Sequence, residues 1–233
     1  MPPTRLISFD LDGTLVDTAG AIATAANDTL QHFGLPARAE AEVRHLIGDG
    51  SRALMLQLLA RICLEQPAHA DTLDADAVLT QFQQRLIDTL STQTTPYPGV
   101  PEALAMLKAQ GVLLACVSNK EASLACQLLR ATGLEALFTL VIGGDTLPEK
   151  KPHASVLRHV LHTLRCEPEQ AAHVGDSATD VAAARNAGLA AWAVPYGYNA
   201  GLPITESRPD QLFNDLTHLV AHVMSPLKEP TCP

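Results

Sequence analysis

The chain has 233 residues, of which 47% are hydrophobic and 18% charged, and its formal net charge is −9 at pH 7. This suits one large domain, or a core domain carrying a smaller insert, and excludes a chain disordered over most of its length. An acidic chain with no run of Lys and Arg is not expected to bind nucleic acid, because the sequence-independent part of that binding needs clustered cations.

No stretch approaches the roughly 20 apolar residues of a membrane span. Met1 to Phe9 lacks the basic region, apolar core and cleavage site of a signal peptide. Cys63, Cys116, Cys126, Cys166 and Cys232 are scattered and form no C-x-x-C pair, so reduced thiols in a cytoplasmic protein are expected, not a disulfide framework or a zinc site.

The first apolar run, Leu6–Phe9, reads as a strand buried on both faces, since it is continuous where a half-exposed strand would alternate. From about Asp17 to Thr94 only helical periodicity follows. It covers Ala21–Phe33, a segment holding Val43, Leu46 and Ile47, another with Leu54, Leu58, Leu59 and Ile62 on one face, and Ala75–Leu90. Nearly eighty residues are too many for a loop in a compact domain. Residues 17–94 are therefore expected to be an inserted helical domain, with Ser91–Gly99 as the return crossing.

Beyond it, helix and strand patterns alternate. The predicted helices are Pro101–Gln110, Glu121–Thr132, Ala154–Leu164 and Ala178–Ala187, and the predicted strands are Val112–Val117, Leu140–Ile142, Ala172–Val174 and Ala190–Val194. Gly111 and Gly188 supply helix stops and Pro101 suits a first turn. The alternation predicts an α/β fold, a Rossmann-like parallel sheet with right-handed crossovers, built from residues 1–16 and 95–224. The proline-rich residues 225–233 are expected to be disordered.

The first strand runs directly into Asp10-Leu11-Asp12-Gly13-Thr14. Two carboxylates at a strand end repel each other and call for a divalent cation or a shared proton. Gly13 permits a turn that exposes backbone N–H groups to an anion. The other strand ends deliver Ser118 and Asn119, Lys151, and Gly175-Asp176-Ser177-Ala178-Thr179-Asp180. Ligand sites in such sheets lie beyond the carboxyl ends of the strands, so these groups should meet. Asp10, Asp12 and Asp176 offer the oxygen donors that Mg2+ takes. A carboxylate can also act as a nucleophile on phosphorus, with Lys151 and Ser118 stabilising charge on the phosphoryl oxygens.

In order and spacing these motifs resemble the haloacid dehalogenase superfamily of phosphatases. Asp10 to Thr14 match its first motif, Ser118 its second, Lys151 its third, and Asp176 with Asp180 its fourth; the insert resembles its small α-helical cap. Tyr97-Pro98-Gly99-Val100, residues 143–152 and Tyr196-Gly197-Tyr198-Asn199 resemble more narrowly the phosphoglycolate phosphatases of that superfamily.

The resemblance implies that Asp10 takes the phosphoryl group, and that Asp12 protonates the leaving alkoxide and then activates water. It implies that Asp176 binds Mg2+, with Asp12 touching the metal mainly through its backbone carbonyl. Asp180 would orient Lys151 or metal-bound water, while Lys151, Ser118 and Asn119 would hold the phosphoryl oxygens. An acid at Asp12 favours phosphate over carbon–halogen chemistry. The loop Gly48-Asp49-Gly50-Ser51-Arg52 should face the core, with Asp49 and Arg52 as substrate contacts and Arg52 forking a substrate carboxylate.

The implied enzyme is a monomer or homodimer hydrolysing a small phosphate monoester, 2-phosphoglycolate first. Alternatives are a hexose- or amino-sugar-phosphate phosphatase, a phosphomutase, or a non-catalytic binding protein on the same fold. His153 and His173 are read as surface or satisfied polar contacts.

Overall fold

The computed structural model describes residues 3–70 and 73–225, so the expectations for 226–233 and the thiol of Cys232 lie outside the described residues. The chain opens with β1 (Leu6–Phe9) and the two-residue β2 (Val16–Asp17). The insert follows as α1 (Ala19–His32), α2 (Glu40–Arg44), α3 (Ser51–Glu65) and α4 (Ala75–Gln93). The chain returns through β3 (Thr95–Pro96), then α5 (Val100–Ala109), β4 (Leu113–Val117), α6 (Ala122–Ala131), β5 (Leu140–Ile142), α7 (Ala154–Leu164) and β6 (Ala171–Gly175). It ends with α8 (Ala178–Ala187), β7 (Ala190–Ala193), β8 (Gln211–Leu212) and α9 (Leu216–Met224).

Six strands form one parallel sheet in the order β5-β4-β1-β6-β7-β8. Strand β1 is central, with Phe9 opposite Cys116 of β4 and Val174 of β6. The chain builds outward on one side of β1 through β4 and β5, then returns to the other side through β6. The carboxyl end of β1 is thus the point where strand order reverses, where open α/β sheets bind ligands.

Residues alternate between the two faces with period two. Ile7, Phe9, Leu114 and Cys116 join an apolar cluster that also takes in α5, α6, α9 and the insert, while Leu6, Ala115 and Val117 join a second cluster with α7 and α8. Leu30, Leu58, Ile62, Phe82 and Leu86 of the insert belong to the first cluster, so the helices of the insert and that face of the sheet share one continuous core.

The five expected strands and four expected core helices are present, shifted by a residue or two at their ends. Four features were not expected. Strand β8 and helix α9 extend the core, and β2 pairs antiparallel with β3, Val16 opposite Pro96, tying together the two crossings that flank the insert. Two-residue strands are too short to carry a periodicity. Helix α4 runs on through Ser91–Gln93, which were expected in the return crossing. There Thr92 Oγ1 donates to the Asp88 carbonyl at 3.0 Å, so a polar sequence stays helical by bonding its hydroxyls one turn back. Among the described residues no helix is long and apolar enough to cross a membrane, and Cys63, Cys116, Cys126 and Cys166 are free.

Candidate active site

Asp10 is the first residue beyond β1, and its N–H donates to the Val174 carbonyl at 2.9 Å, extending the ladder by one residue and fixing where its side chain leaves the sheet. The chain then turns sharply: Gly13 N–H donates to Val16 O at 2.9 Å and Leu15 N–H to Leu11 O at 3.0 Å. Gly13 has φ +85°, and a Cβ there would lie 2.5 Å from Asp176 Oδ2. No other residue fits, for both conformational and steric reasons.

The tight approach delivers Thr14, whose Oγ1 donates to Asp176 Oδ1 at 2.8 Å, while Tyr198 N–H donates to Asp176 Oδ2. Asp176 is thereby held from both sides. Asp12 is held likewise: Thr18 Oγ1 donates to its Oδ1 at 2.7 Å, and Lys120 Nζ lies 3.2 Å from its Oδ2.

Lys151 is buried and its Nζ donates to Asp10 Oδ1 at 2.8 Å and to Asp180 Oδ1 at 2.7 Å. Asp180 sits at the third position of α8, where it completes a capping box with Ser177, receiving its N–H at 3.1 Å and its hydroxyl at 2.6 Å on Oδ2. On the other oxygen, Oδ1, Asp180 also meets His173 Nε2 at 3.2 Å. An ionised carboxylate only accepts, so that nitrogen is assigned the proton, and His173 Nδ1 pairs with Ser8 Oγ at 2.9 Å. A buried chain Ser8–His173–Asp180–Lys151–Asp10 thus runs from inside the sheet to the strand end.

The electrostatics follow from this crowding. Burial raises the Asp10 carboxyl to about 6; Lys151 opposes the rise, and the charges of Asp180 and Asp12 add to it. Asp176 is raised well above the ordinary carboxylate value by burial and by the charges of Asp180 and Asp10. Burial also pushes Asp180 upward, but Lys151 and His173 outweigh it and hold that carboxyl low. Burial pushes Lys151 downward, yet Asp10 and Asp180 outweigh it and keep the ammonium protonated. Burial lowers His173, leaving it neutral.

Asp10, Asp176 and Asp180 each present one oxygen, all within 4.8 Å of one another. Both Asp180 oxygens are already committed to Lys151, His173 and Ser177, whereas Asp10 Oδ2 has no hydrogen-bond partner among the described residues. The donors left for a cation are Asp10 Oδ2 and the lone pair that each Asp176 oxygen keeps beyond its single hydrogen bond, whereas each Asp180 oxygen already takes two contacts. They are all oxygen and too negatively charged for their burial, which fits a hard divalent ion such as Mg2+. The Asp12 carboxylate is engaged by Thr18 and Lys120 and is not one of the three grouped carboxylates.

A cavity lies over these groups. Its polar wall holds Asp10, Asp12, Ser118, Lys120 and Asp176, and its opposite wall comes from the insert through Ile22, Ile47, Gly48, Gly50, Ser51 and Leu54. The loop 48–51 does face the core. Asn119 Nδ2 donates to Gly48 O at 3.0 Å, Lys150 Nζ to Asp49 O at 2.6 Å, and Ser51 Oγ to Glu121 at 2.7 Å. Gly50 packs so closely that a Cβ would lie 2.7 Å from Asn119 O.

Three expected substrate contacts sit otherwise than anticipated. Arg52 lies outside this cavity; its side chain is 64% exposed and pairs with Asp76 at 3.7 Å. Ser51, Leu54 and Leu58 define the inward face of α3, and Arg52 falls about 100° around from Ser51. Asp49 is exposed and contributes its backbone carbonyl rather than its carboxylate. Asn119 is buried, but its amide donates to Gly48 O and to Lys151 O at 3.0 Å each, so it braces the loop and the lysine turn instead of offering those hydrogens to a phosphate.

Lys120 and Thr18 were not singled out from sequence, and Thr14 and Tyr198 entered there as members of motifs without a role of their own. Lys120 carried a signal, because it directly follows Ser118-Asn119 at the same strand end. The part played by Tyr198 was not legible in its motif, since it depends on a backbone N–H meeting Asp176.

The chain is similar to known proteins over most of its length. A protein of Chromobacterium violaceum named phosphoglycolate phosphatase is 43% identical over 194 residues, covering 83% of this chain and 86% of its own. One from Nitrosococcus oceani with the same name is 37% identical over 215 residues, covering 92% and 94%. A crystal structure described as a predicted phosphoglycolate phosphatase from Haemophilus somnus superposes with TM-score 0.89 at 34% identity, covering 95% of this chain and 99% of that one. The family model of the haloacid dehalogenase-like hydrolases matches residues 7–194, and with the strand-end cluster of Asp10, Lys151 and Asp176 in place the chain belongs to that family.

Proposed function

We propose that the chain is a Mg2+-dependent phosphate monoester hydrolase acting through an aspartyl-phosphate at Asp10, with 2-phosphoglycolate as its substrate. The observation that carries the chemistry is Asp10 at the end of the central strand, held on one oxygen by Lys151, with Asp12 lining the same cavity. The substrate rests on the likeness to proteins named phosphoglycolate phosphatase at 37–43% identity.

In this reading the Asp10 carboxylate attacks phosphorus while Asp12 gives its proton to the departing alkoxide, freeing glycolate and leaving the phosphoryl group on Asp10. Asp12, now ionised, takes a proton from water as that water attacks the phosphoryl group, and Asp10 is regenerated with release of inorganic phosphate. Thr18 and Lys120 orient the Asp12 carboxylate for both transfers. Lys151 and the Ser118 hydroxyl bind phosphoryl oxygens, and Asp180 and His173 fix the direction of Lys151. Mg2+ held by Asp10, Asp176 and the Asp12 carbonyl would neutralise charge on the phosphoryl oxygens. The insert, residues 17–94, closes the site from water. The same reading makes the enzyme cytoplasmic, as a monomer or homodimer.

The test is Mg2+-dependent phosphate release from 2-phosphoglycolate, hexose phosphates, amino-sugar phosphates and a nucleoside monophosphate. A kcat/KM for 2-phosphoglycolate about a hundredfold or more above the rest, roughly 2.7 kcal/mol of transition-state discrimination, supports the full reading. A sugar phosphate in first place removes the substrate and leaves the hydrolase. Unchanged turnover by Asp10→Asn removes the mechanism.

A further inference from the structure

We infer that Lys120 is the specificity-determining residue of this site, binding through its ammonium group the carboxylate of the substrate's leaving group; this rests on the phosphoglycolate reading above. Lys120 follows β4 by three residues in a turn that fixes it. Its N–H donates to Ser118 Oγ at 3.3 Å and its carbonyl accepts from Gly144 N–H at 2.8 Å. The residue is only 4% exposed, and it lines the cavity.

An ammonium carries three donors. Among the described residues Asp12, at 3.2 Å, is the one recorded partner of Lys120 Nζ. A buried charge with donors left over is costly, and an anionic ligand that takes them removes that cost.

The other nearby cations are otherwise engaged. Lys151 gives two donors to Asp10 and Asp180 and, in the reading above, its third to the phosphoryl group, while Lys150 is held by the Asp49 carbonyl and Arg52 by Asp76 outside the cavity. The Arg44 guanidinium sits over the Tyr198 ring, 4.8 Å from its centroid, and does not line this cavity. The wall from the insert offers Ile22, Ile47 and Leu54 but no cation.

Position completes the case. Asp12 must reach the ester oxygen that it protonates. In 2-phosphoglycolate the carboxylate stands one methylene from that oxygen. A cation that touches Asp12 therefore lies beside the carboxylate, whereas one on the far wall would suit a longer substrate.

The experiment compares 2-phosphoglycolate with its neutral amide, phosphoglycolamide, which has the same size and leaving oxygen. Wild type, Lys120→Met and Lys120→Arg are assayed with Mg2+, with thermal melting to confirm folding. The wild type is expected to favour the acid strongly. In Lys120→Met the acid-to-amide ratio of kcat/KM should fall about 30-fold or more, on the order of 2 kcal/mol, mainly through KM of the acid. Lys120→Arg should keep most of the ratio.

If Lys120 merely holds Asp12, both substrates lose by the same factor and the ratio stands, which overturns the inference. A wild type that does not distinguish acid from amide defeats the substrate reading itself, and the role of Lys120 with it. Should Lys120→Met not fold, Lys120→Gln, similar in length and still polar, gives the same comparison.

Discussion

Replacing Asp10 with Asn is expected to stabilise the metal-free protein while abolishing turnover. The Asp10 carboxyl is raised from 3.8 to about 6, chiefly by burial, so its charged form is disfavoured in the fold even with Lys151 at 2.8 Å. A rise of about 2.2 pH units at 1.36 kcal/mol each amounts to about 3 kcal/mol. Below pH 3.8 the folded and unfolded states both hold the proton. Between 3.8 and about 6 only the folded state holds it, and above 6 neither does, so the full cost is present at neutral pH.

Stability therefore falls as pH rises through this window and returns on acidification. Asparagine mimics the protonated acid. In chelator at pH 7.5, urea unfolding should show Asp10→Asn more stable than wild type by about 3 kcal/mol. That gap should close as pH is lowered toward 4. Asp180, held low by Lys151, does not titrate in this window. A variant equal to or weaker than wild type at pH 7.5, or a gap unchanged by pH, refutes a net cost for the Asp10 charge. Mg2+ should reverse the ranking, stabilising wild type more than the variant.

Three other outcomes are expected. Asp12→Asn should lower kcat for alkyl phosphates by about 10²–10⁴-fold but far less for p-nitrophenyl phosphate, whose leaving group needs no proton; equal losses would contradict an acid role. Gly13→Ala should cost more than about 2 kcal/mol in urea unfolding, because the new Cβ meets Asp176 Oδ2 at 2.5 Å in a left-handed turn; a neutral effect would mean that the turn relaxes freely. His173→Leu, which removes the bonds to Asp180 and Ser8, should destabilise by about 1–3 kcal/mol and lower kcat more than it raises KM, since Lys151 loses its brace; an unchanged kcat would confine His173 to packing.

Much of this arrangement was legible in the sequence because parallel strands leave strong marks. Leu6–Phe9 and Ala172–Val174 are fully buried runs, apolar except for Ser8 and His173, that end just before Asp10 and Asp176, so strand ends and reactive groups could be read together. The α4 pattern was equally clear up to Leu90, but Thr and Ser beyond it suggested a crossing where hydroxyl back-bonding keeps a helix.

Side-chain direction was harder to read. Arg52 lies one residue from the inward-facing Ser51, and a single step around a helix decides between cavity and solvent. The chain Ser8–His173–Asp180 was illegible for another reason: Ser8 and His173 are 165 positions apart and meet only through the β1–β6 register, where they stand opposite each other.

The most direct measurement is acid quench of the enzyme turning over 2-phosphoglycolate with Mg2+, followed by mass spectrometry of the peptide carrying Asp10. One phosphoryl group on Asp10, formed fast enough to account for turnover and lost once the substrate is exhausted, is the predicted result. Phosphate release at full rate with no label on that peptide, or with label on another residue, would contradict Asp10 as the nucleophile.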